Sequence, residues 1–323
     1  MRTNRGGWLR IALGTFVLCM AVGTSNLSRG AQWPGGQPVV FSQQIEEGGA
    51  RIQVDFASGD LDLDRAEVLN WIHEAVHAVT VYYGRFSVER ARVLVVPVAG
   101  SERILQGTTW GDMRGFPGLT RIRLGQHTTK RELVEDWTMT HELTHMAFPN
   151  LPDNQHWMEE GLATYIEPIA RVQAGQLPAK KIWQDMMEGM PKGQPREGDL
   201  GLDRTHTWGR TYWGGALFCL VADVSIRKET KNRKGLQDAL RAIVAEGGSI
   251  DKDWPMERAL SIGDRATGSH VLTEMYAKWS KEPVEVDLPD LWKQLGVKQG
   301  EAGIEFHSNA PLAAVREAIT GAR

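Results

Sequence analysis

The chain of 323 residues contains only two cysteines, Cys19 and Cys219. Cys19 lies in an N-terminal segment that we expect to be cleaved, so the mature chain cannot form an intrachain disulfide. Cys219 lies in the apolar run ALFCLVA and is most simply a small buried side chain. The sequence therefore excludes a disulfide-stabilised scaffold, and a packed core must stabilise the fold.

The sequence also lacks an excess of positive charge, with 37 Lys and Arg against 40 Asp and Glu. Its formal net charge of −3 changes to about −7 when residues 1–31 are removed, because this segment holds four arginines and no acid. A mildly acidic mature chain offers little for phosphate groups to bind. We therefore expect no nucleic-acid partner.

No hydrophobic run at the N-terminus is long enough to span a bilayer. The run from Ile11 to Val22 is shorter than the roughly 20 residues that a transmembrane helix requires. It follows a basic start and precedes small residues around Gly23, which is typical of a secretory signal. We predict a signal peptide over 1–31, no stable membrane span in the mature chain, and export to the periplasm or the extracellular space. The alternative is a chain that an uncleaved N-terminal segment tethers to the membrane.

Strand patterns dominate the first part of the chain, and helical patterns dominate the rest. Short alternating runs fill residues 32–63, an amphipathic helix follows to about Tyr83, and ARVLVVPVAG is a buried strand. Residues 107–118 are loop-like, and LTRIRLG at 119–125 is a strand that an extended peptide could pair with if it lies at an edge. Further helices are predicted at 132–147, 157–174, 179–189, 208–229, 234–246, 255–263, 270–279 and 288–295.

This order of elements predicts an α+β protein with two lobes. The smaller lobe, about 32–147, would hold an N-terminal β-sheet and an active-site helix. The second lobe, about 148–299, would be mostly helical, and residues 300–323 would form a C-terminal tail.

The pattern H-E-x-x-H occurs twice, first at His73, Glu74 and His77 and again at His141, Glu142 and His145. Two histidines four residues apart on a helix project to the same side and can bind one metal ion, while the glutamate between them can act as a general base. Catalytic zinc takes three protein ligands, so another residue must supply the third.

Only the second copy is followed by a candidate third ligand. Two prolines end its helix, and Glu159 or Glu160 in WMEEGLATY can fold back toward the histidines, with Gly161 allowing close approach. The first copy instead leads into a buried strand, and its histidines flank an apolar stripe that ordinary core packing explains. We therefore predict a metal site at His141 and His145, and the ligand types favour Zn²⁺.

The stretch HELTH followed by WMEEGLATY resembles the gluzincin zinc metallopeptidases, and YWGGALFCLVADVSIRKETKNRKGLQDALRAI at 212–243 resembles the catalytic part of glycyl aminopeptidase-like peptidases. The resemblance implies a two-lobed zincin fold, Glu160 as third zinc ligand with Glu159 as runner-up, and Tyr212 as oxyanion donor. It covers about Arg65 to Leu295. The chain has no GAMEN-like segment and no room for the additional β-domains or PDZ-type module of that family, so the resemblance implies no substrate preference.

The sequence thus predicts a secreted zinc metallopeptidase that acts on a peptide or protein substrate, with Glu142 as general base. Two alternatives remain. One is a catalytically inactive secreted binding or scaffold protein that retains the peptidase fold. The other is a metal-dependent hydrolase of a non-peptide substrate, because function belongs to the site rather than to the fold.

Overall fold

The structure, a computed structural model, describes residues 37–301 and 303–321. The predicted signal peptide at 1–31 lies outside these residues. The described chain divides into two compact units. The first comprises the residues up to Val76 together with Glu89–Leu143, and the second comprises His77–Val88 and the residues from Thr144 onward.

Five strands form the sheet of the first unit. Their bounds are β1 Val39–Glu47, β2 Ala50–Ala57, β3 Arg90–Val98, β4 Ile104–Met113 and β5 Phe116–Gly125. The order across the sheet is β1-β2-β3-β5-β4. Neighbours β2, β3 and β5 run parallel, whereas β1 and β4 are antiparallel to their single neighbours at the two edges. The second unit is mostly helical, so the predicted α+β class is confirmed.

One prediction for the sheet is wrong, and for LTRIRLG the structure excludes the edge position and leaves a plain structural strand. The expected loop at 107–118 contains most of β4 and the start of β5. The stretch LTRIRLG belongs to β5, which is an interior strand between β3 and β4, so the edge position belongs to β4. The sequence of β4, ILQGTTWGDM, is rich in polar residues and glycine. It lacks the apolar alternation by which strands are recognised.

Helix α1 (Arg65–Tyr83) connects β2 to β3 and carries the predicted apolar stripe. The stripe is buried along its whole length and comprises Val68, Leu69, Ile72, Ala75, Val76 and Val79.

The predicted helix at 132–147 is divided into α2 (Lys130–Val134), α3 (Thr138–Thr144) and a 3₁₀ turn at His145–Ala147. Thr129 begins α2 with a capping box, in which Thr129 and Glu132 satisfy each other's backbone N–H. A second start signal follows, because the Asp136 carboxylate accepts a hydrogen bond from the Met139 N–H at 3.1 Å. Each short helix therefore has its own capping residue.

The first long helix of the second unit after the motif begins at His156, after the two prolines that were expected to end the preceding helix. From there the elements of this unit are α4 His156–Gln173, α5 Ala179–Gly189, α6 Gly215–Glu229, α7 Leu236–Ala245, α8 Met256–Thr267, α9 Val271–Trp279, α10 Leu288–Leu295, β6 Val297–Gly300, β7 Gly303–Phe306 and α11 Ala313–Thr320. A π-helical turn at Gly209–Gly214 leads directly into α6.

The segment expected to be a C-terminal tail contains β7 and α11. Arg316 on α11 is buried, and its Nη1 donates to the carbonyls of Leu295 at 3.1 Å and Gly296 at 3.0 Å. These bonds fasten α11 to the end of α10.

A buried ion pair on α6 organises the centre of the helical unit. Asp223 accepts hydrogen bonds from Arg227 Nε at 2.7 Å, from the Leu236 N–H at 2.9 Å and from the Tyr165 hydroxyl at 3.0 Å. Burial and the charge of Asp223 raise the pKa of Tyr165, so its phenol remains a protonated donor. The cluster joins α4, α6 and α7 through one carboxylate.

Cys219 is buried on α6, and burial raises the pKa of its thiol. The predicted structural role of this cysteine is therefore confirmed. In the part of the chain that the structure describes, no helix is both long and apolar enough to cross a bilayer.

Candidate metal and catalytic site

The first H-E-x-x-H copy lies at the surface of α1. The side chain of His73 is 37% exposed, and its Nε2 lies 3.4 Å from Glu47 Oε2 on β1. Glu74 is exposed and His77 is half-buried. These residues form the border of the apolar stripe, as the sequence predicts.

The second copy is buried throughout. His141 and Glu142 lie in α3, and His145 lies in the 3₁₀ turn that follows it. The indole of Trp137 packs edge-on against the His141 imidazole, with ring centroids 4.9 Å apart. The boundary between the two compact units falls inside α3, between Leu143 and Thr144.

Glu160 lies in the first turns of α4 and is only 1% exposed. Its Oε2 atom is 3.5 Å from His145 Nε2. One donor atom each from His141, His145 and Glu160 lie within 4.8 Å of one another. The structure therefore brings the three predicted metal ligands together.

The carboxylate of Glu142 is fixed by a threonine on β4. Thr109 Oγ1 donates to Glu142 Oε2 at 2.7 Å and lies 3.0 Å from the Glu142 carbonyl oxygen. The Thr120 hydroxyl on β5 lies 2.9 Å from Thr109 Oγ1 and can donate to it. The three groups form a short buried chain of hydrogen bonds that ends at the predicted general base.

Gly107 makes room for the same carboxylate. It lies two residues before Thr109, so the two residues share one face of β4. A Cβ atom at position 107 would lie 2.5 Å from Glu142 Cγ, which is far inside van der Waals contact. Because the sequence pattern indicated a loop here, it could not identify Gly107 or Thr109 as neighbours of Glu142.

Helix α6 begins against the helix that carries Glu160. A Cβ atom on Gly161 would collide with the backbone of Gly215, so both positions require glycine for this close approach. The π-helical turn that precedes α6 carries Tyr212, which stacks on Trp208 with ring centroids 5.9 Å apart. Tyr212 is half-buried, and its role as an oxyanion donor stays a prediction.

Comparisons with known proteins place this fold among zinc peptidases. No protein-family model matches the chain, and no curated protein matches it by sequence. A variant of a two-domain M1 zinc metallopeptidase solved with L-arginine bound matches with a TM-score of 0.52 at 14% identity, over 78% of this chain and 57% of that one. The M1 zinc metallopeptidase from Deinococcus radiodurans matches with a TM-score of 0.51 at 14% identity, over 78% of this chain and 57% of that one. An aminopeptidase N family protein from Idiomarina loihiensis matches with a TM-score of 0.55 at 12% identity, over 80% of this chain and 49% of that one.

The chain therefore spans 49–57% of the length of these solved structures. The resemblance to zinc metallopeptidases that the motifs indicated is confirmed at the level of the fold: the chain has the fold of the M1 zinc metallopeptidases.

Proposed function

We propose that the chain is an exported zinc metallopeptidase that hydrolyses peptide bonds. The observation that carries the proposal is the convergence of His141, His145 and Glu160, all buried, in a fold shared with zinc peptidases. Export rests on the predicted signal peptide alone, and the tethered form is its alternative.

The donor set fits zinc. Two imidazoles and one carboxylate are the ligands of known catalytic zinc sites, which leave a fourth position for water. Burial of all three side chains would also reduce the competition of solvent for these ligands while the fourth position stays open to water. A bound zinc ion would act as a Lewis acid on the scissile carbonyl and make water a stronger nucleophile at neutral pH.

Glu142 would act as the general base. It would take a proton from the attacking water and deliver it to the leaving amine. Thr109 would hold the carboxylate in place while this happens, because its hydroxyl donates to Oε2 of Glu142. The base would therefore be oriented before a substrate arrives, and little reorganisation would be needed during the reaction.

Two further features would serve the substrate. Tyr212 would donate a hydrogen bond to the developing oxyanion. An extended peptide would pair with β4 rather than with LTRIRLG, because β4 is the edge strand next to Glu142.

Removing the metal tests the proposal as a whole. We expect the purified mature chain to cleave members of a peptide library, to lose this activity in a chelator, and to regain it on addition of zinc. Cleavage products would be identified by mass spectrometry. Zinc binding without cleavage of any peptide would favour the inactive binding protein or the non-peptide hydrolase instead. A chain that cleaves equally well in chelator would not be a metallopeptidase.

A further inference from the structure

His156 is the first residue of α4, and its ring contacts two carboxylates on the same helix. His156 Nδ1 lies 2.8 Å from Glu159 Oε2, and His156 Nε2 lies 3.2 Å from Glu160 Oε1. Residues three and four positions apart share one helix face, which allows one imidazole to reach both acids. The imidazole of His156 therefore lies between the carboxylates of Glu159 and Glu160.

The two oxygens of Glu160 face different partners. Oε1 faces His156, whereas Oε2 lies 3.5 Å from His145 Nε2. The terminal torsion of a glutamate is broad and roughly two-fold, so the side chain itself does not fix the plane of its two equivalent oxygens. The contact between His156 Nε2 and Oε1, at 3.2 Å, fixes this plane.

Glu159 holds His156 in turn. Its Oε1 accepts a hydrogen bond from the Leu151 N–H at 3.3 Å, and its Oε2 contacts His156. The Glu159 carboxylate thus links the Leu151 backbone, which precedes α4, to the His156 imidazole. Glu159, the runner-up as third metal ligand, thus holds His156, whereas Glu160 faces His145.

We propose that His156, held by Glu159, is a positioning residue that fixes the plane of the Glu160 carboxylate so that one of its oxygens faces His145 and the metal ion. The inference deepens the proposed zinc site and rests on it. Groups that hydrogen-bond to metal ligands orient those ligands, and their loss typically weakens metal binding by about 10- to 100-fold. His156 and Glu159 would together supply this support for Glu160.

The test is the zinc affinity of the full mature chain, measured by competition with a chromophoric chelator. We expect His156→Phe, which keeps a planar ring but removes both nitrogens, to weaken zinc binding by about 10- to 100-fold. His156→Gln should recover part of this loss, because its amide N–H can donate to Glu160. His270→Ala is the matched control, since His270 is an exposed histidine at the start of α9 in the same unit.

The outcomes separate the inference from the proposed function. A wild-type chain that binds no zinc would overturn the proposed function. Tight wild-type binding with a His156→Phe affinity within about twofold of it would overturn the positioning role alone. Thermal unfolding of the metal-free variants shows whether each one folds. If His156→Phe proves unstable, His156→Ala, which also removes both nitrogens, decides: weaker binding than wild type supports the inference, and unchanged binding contradicts it.

Discussion

Replacing Glu142 with Gln is expected to lower kcat for peptide hydrolysis by about 10²- to 10⁴-fold, the usual contribution of a general base. The amide has the same shape as the carboxylate but cannot accept the proton of the attacking water. Glu142 does not belong to the group of metal ligands, so the variant should bind zinc as the wild type does. The measurement is steady-state hydrolysis of the best library peptide, together with zinc content.

Glu74→Gln provides the matched control, because Glu74 holds the same place in the first H-E-x-x-H copy but is exposed on α1. Its activity should equal that of the wild type. Full activity of Glu142→Gln with zinc retained would remove Glu142 from the mechanism.

The hydrogen bond from Thr109 to Glu142 predicts how kcat changes when Thr109 is substituted. Thr109→Val should reduce kcat about tenfold, equivalent to about 1.4 kcal/mol, because the carboxylate loses the donor that orients it. Thr109→Ser should restore activity by restoring the hydroxyl. Thr108→Val is the control on the same strand. The Thr108 hydroxyl donates to the Gly107 carbonyl at 2.6 Å and not to the Glu142 carboxylate, so kcat should stay close to that of the wild type.

Replacing Asp223 with Ala is expected to lower the free energy of unfolding by about 3–5 kcal/mol. The substitution leaves the Arg227 guanidinium buried without its charge partner and removes the acceptor of the Tyr165 hydroxyl and the Leu236 N–H. Urea denaturation followed by circular dichroism measures the loss as a lower transition midpoint.

An exposed pair of the same spacing provides the comparison. Lys181 and Asp185 form an ion pair of 2.6 Å on α5, with side chains 57% and 43% exposed. Solvent screens such a pair, so Asp185→Ala should cost less than about 1 kcal/mol. Equal losses for the two variants would contradict the account of the buried cluster.

The sequence was sufficient for the fold class, and the choice between the two motifs stays a prediction that the burial of their residues supports. Burial separates them as predicted, because the apolar stripe of α1 leaves His73 and His77 at its border, whereas the second motif is enclosed. The two histidines could be proposed as ligands because metal binding imposes a strict spacing on a helix, whereas Glu160 was preferred to Glu159 only through the resemblance to gluzincins.

The surroundings of these residues could not be predicted in the same way. Thr109 and Gly107 reach Glu142 through strand pairing over more than 30 residues, and their strand has no apolar alternation. The division of the helix at 132–147 depends on the capping residues Thr129 and Asp136, which compete with the continuous helical pattern. The contacts of His156 depend on the rotamers of two neighbouring acids, which the sequence does not specify.

The most direct test of the central claim is the zinc content of the purified mature chain, measured by plasma mass spectrometry for the wild type, His145→Ala and His77→Ala. The account predicts about one zinc per chain in the wild type and in His77→Ala, and almost none in His145→Ala, because three protein ligands are needed to hold the ion. A wild type without metal, or zinc that is lost in His77→Ala and kept in His145→Ala, would contradict it.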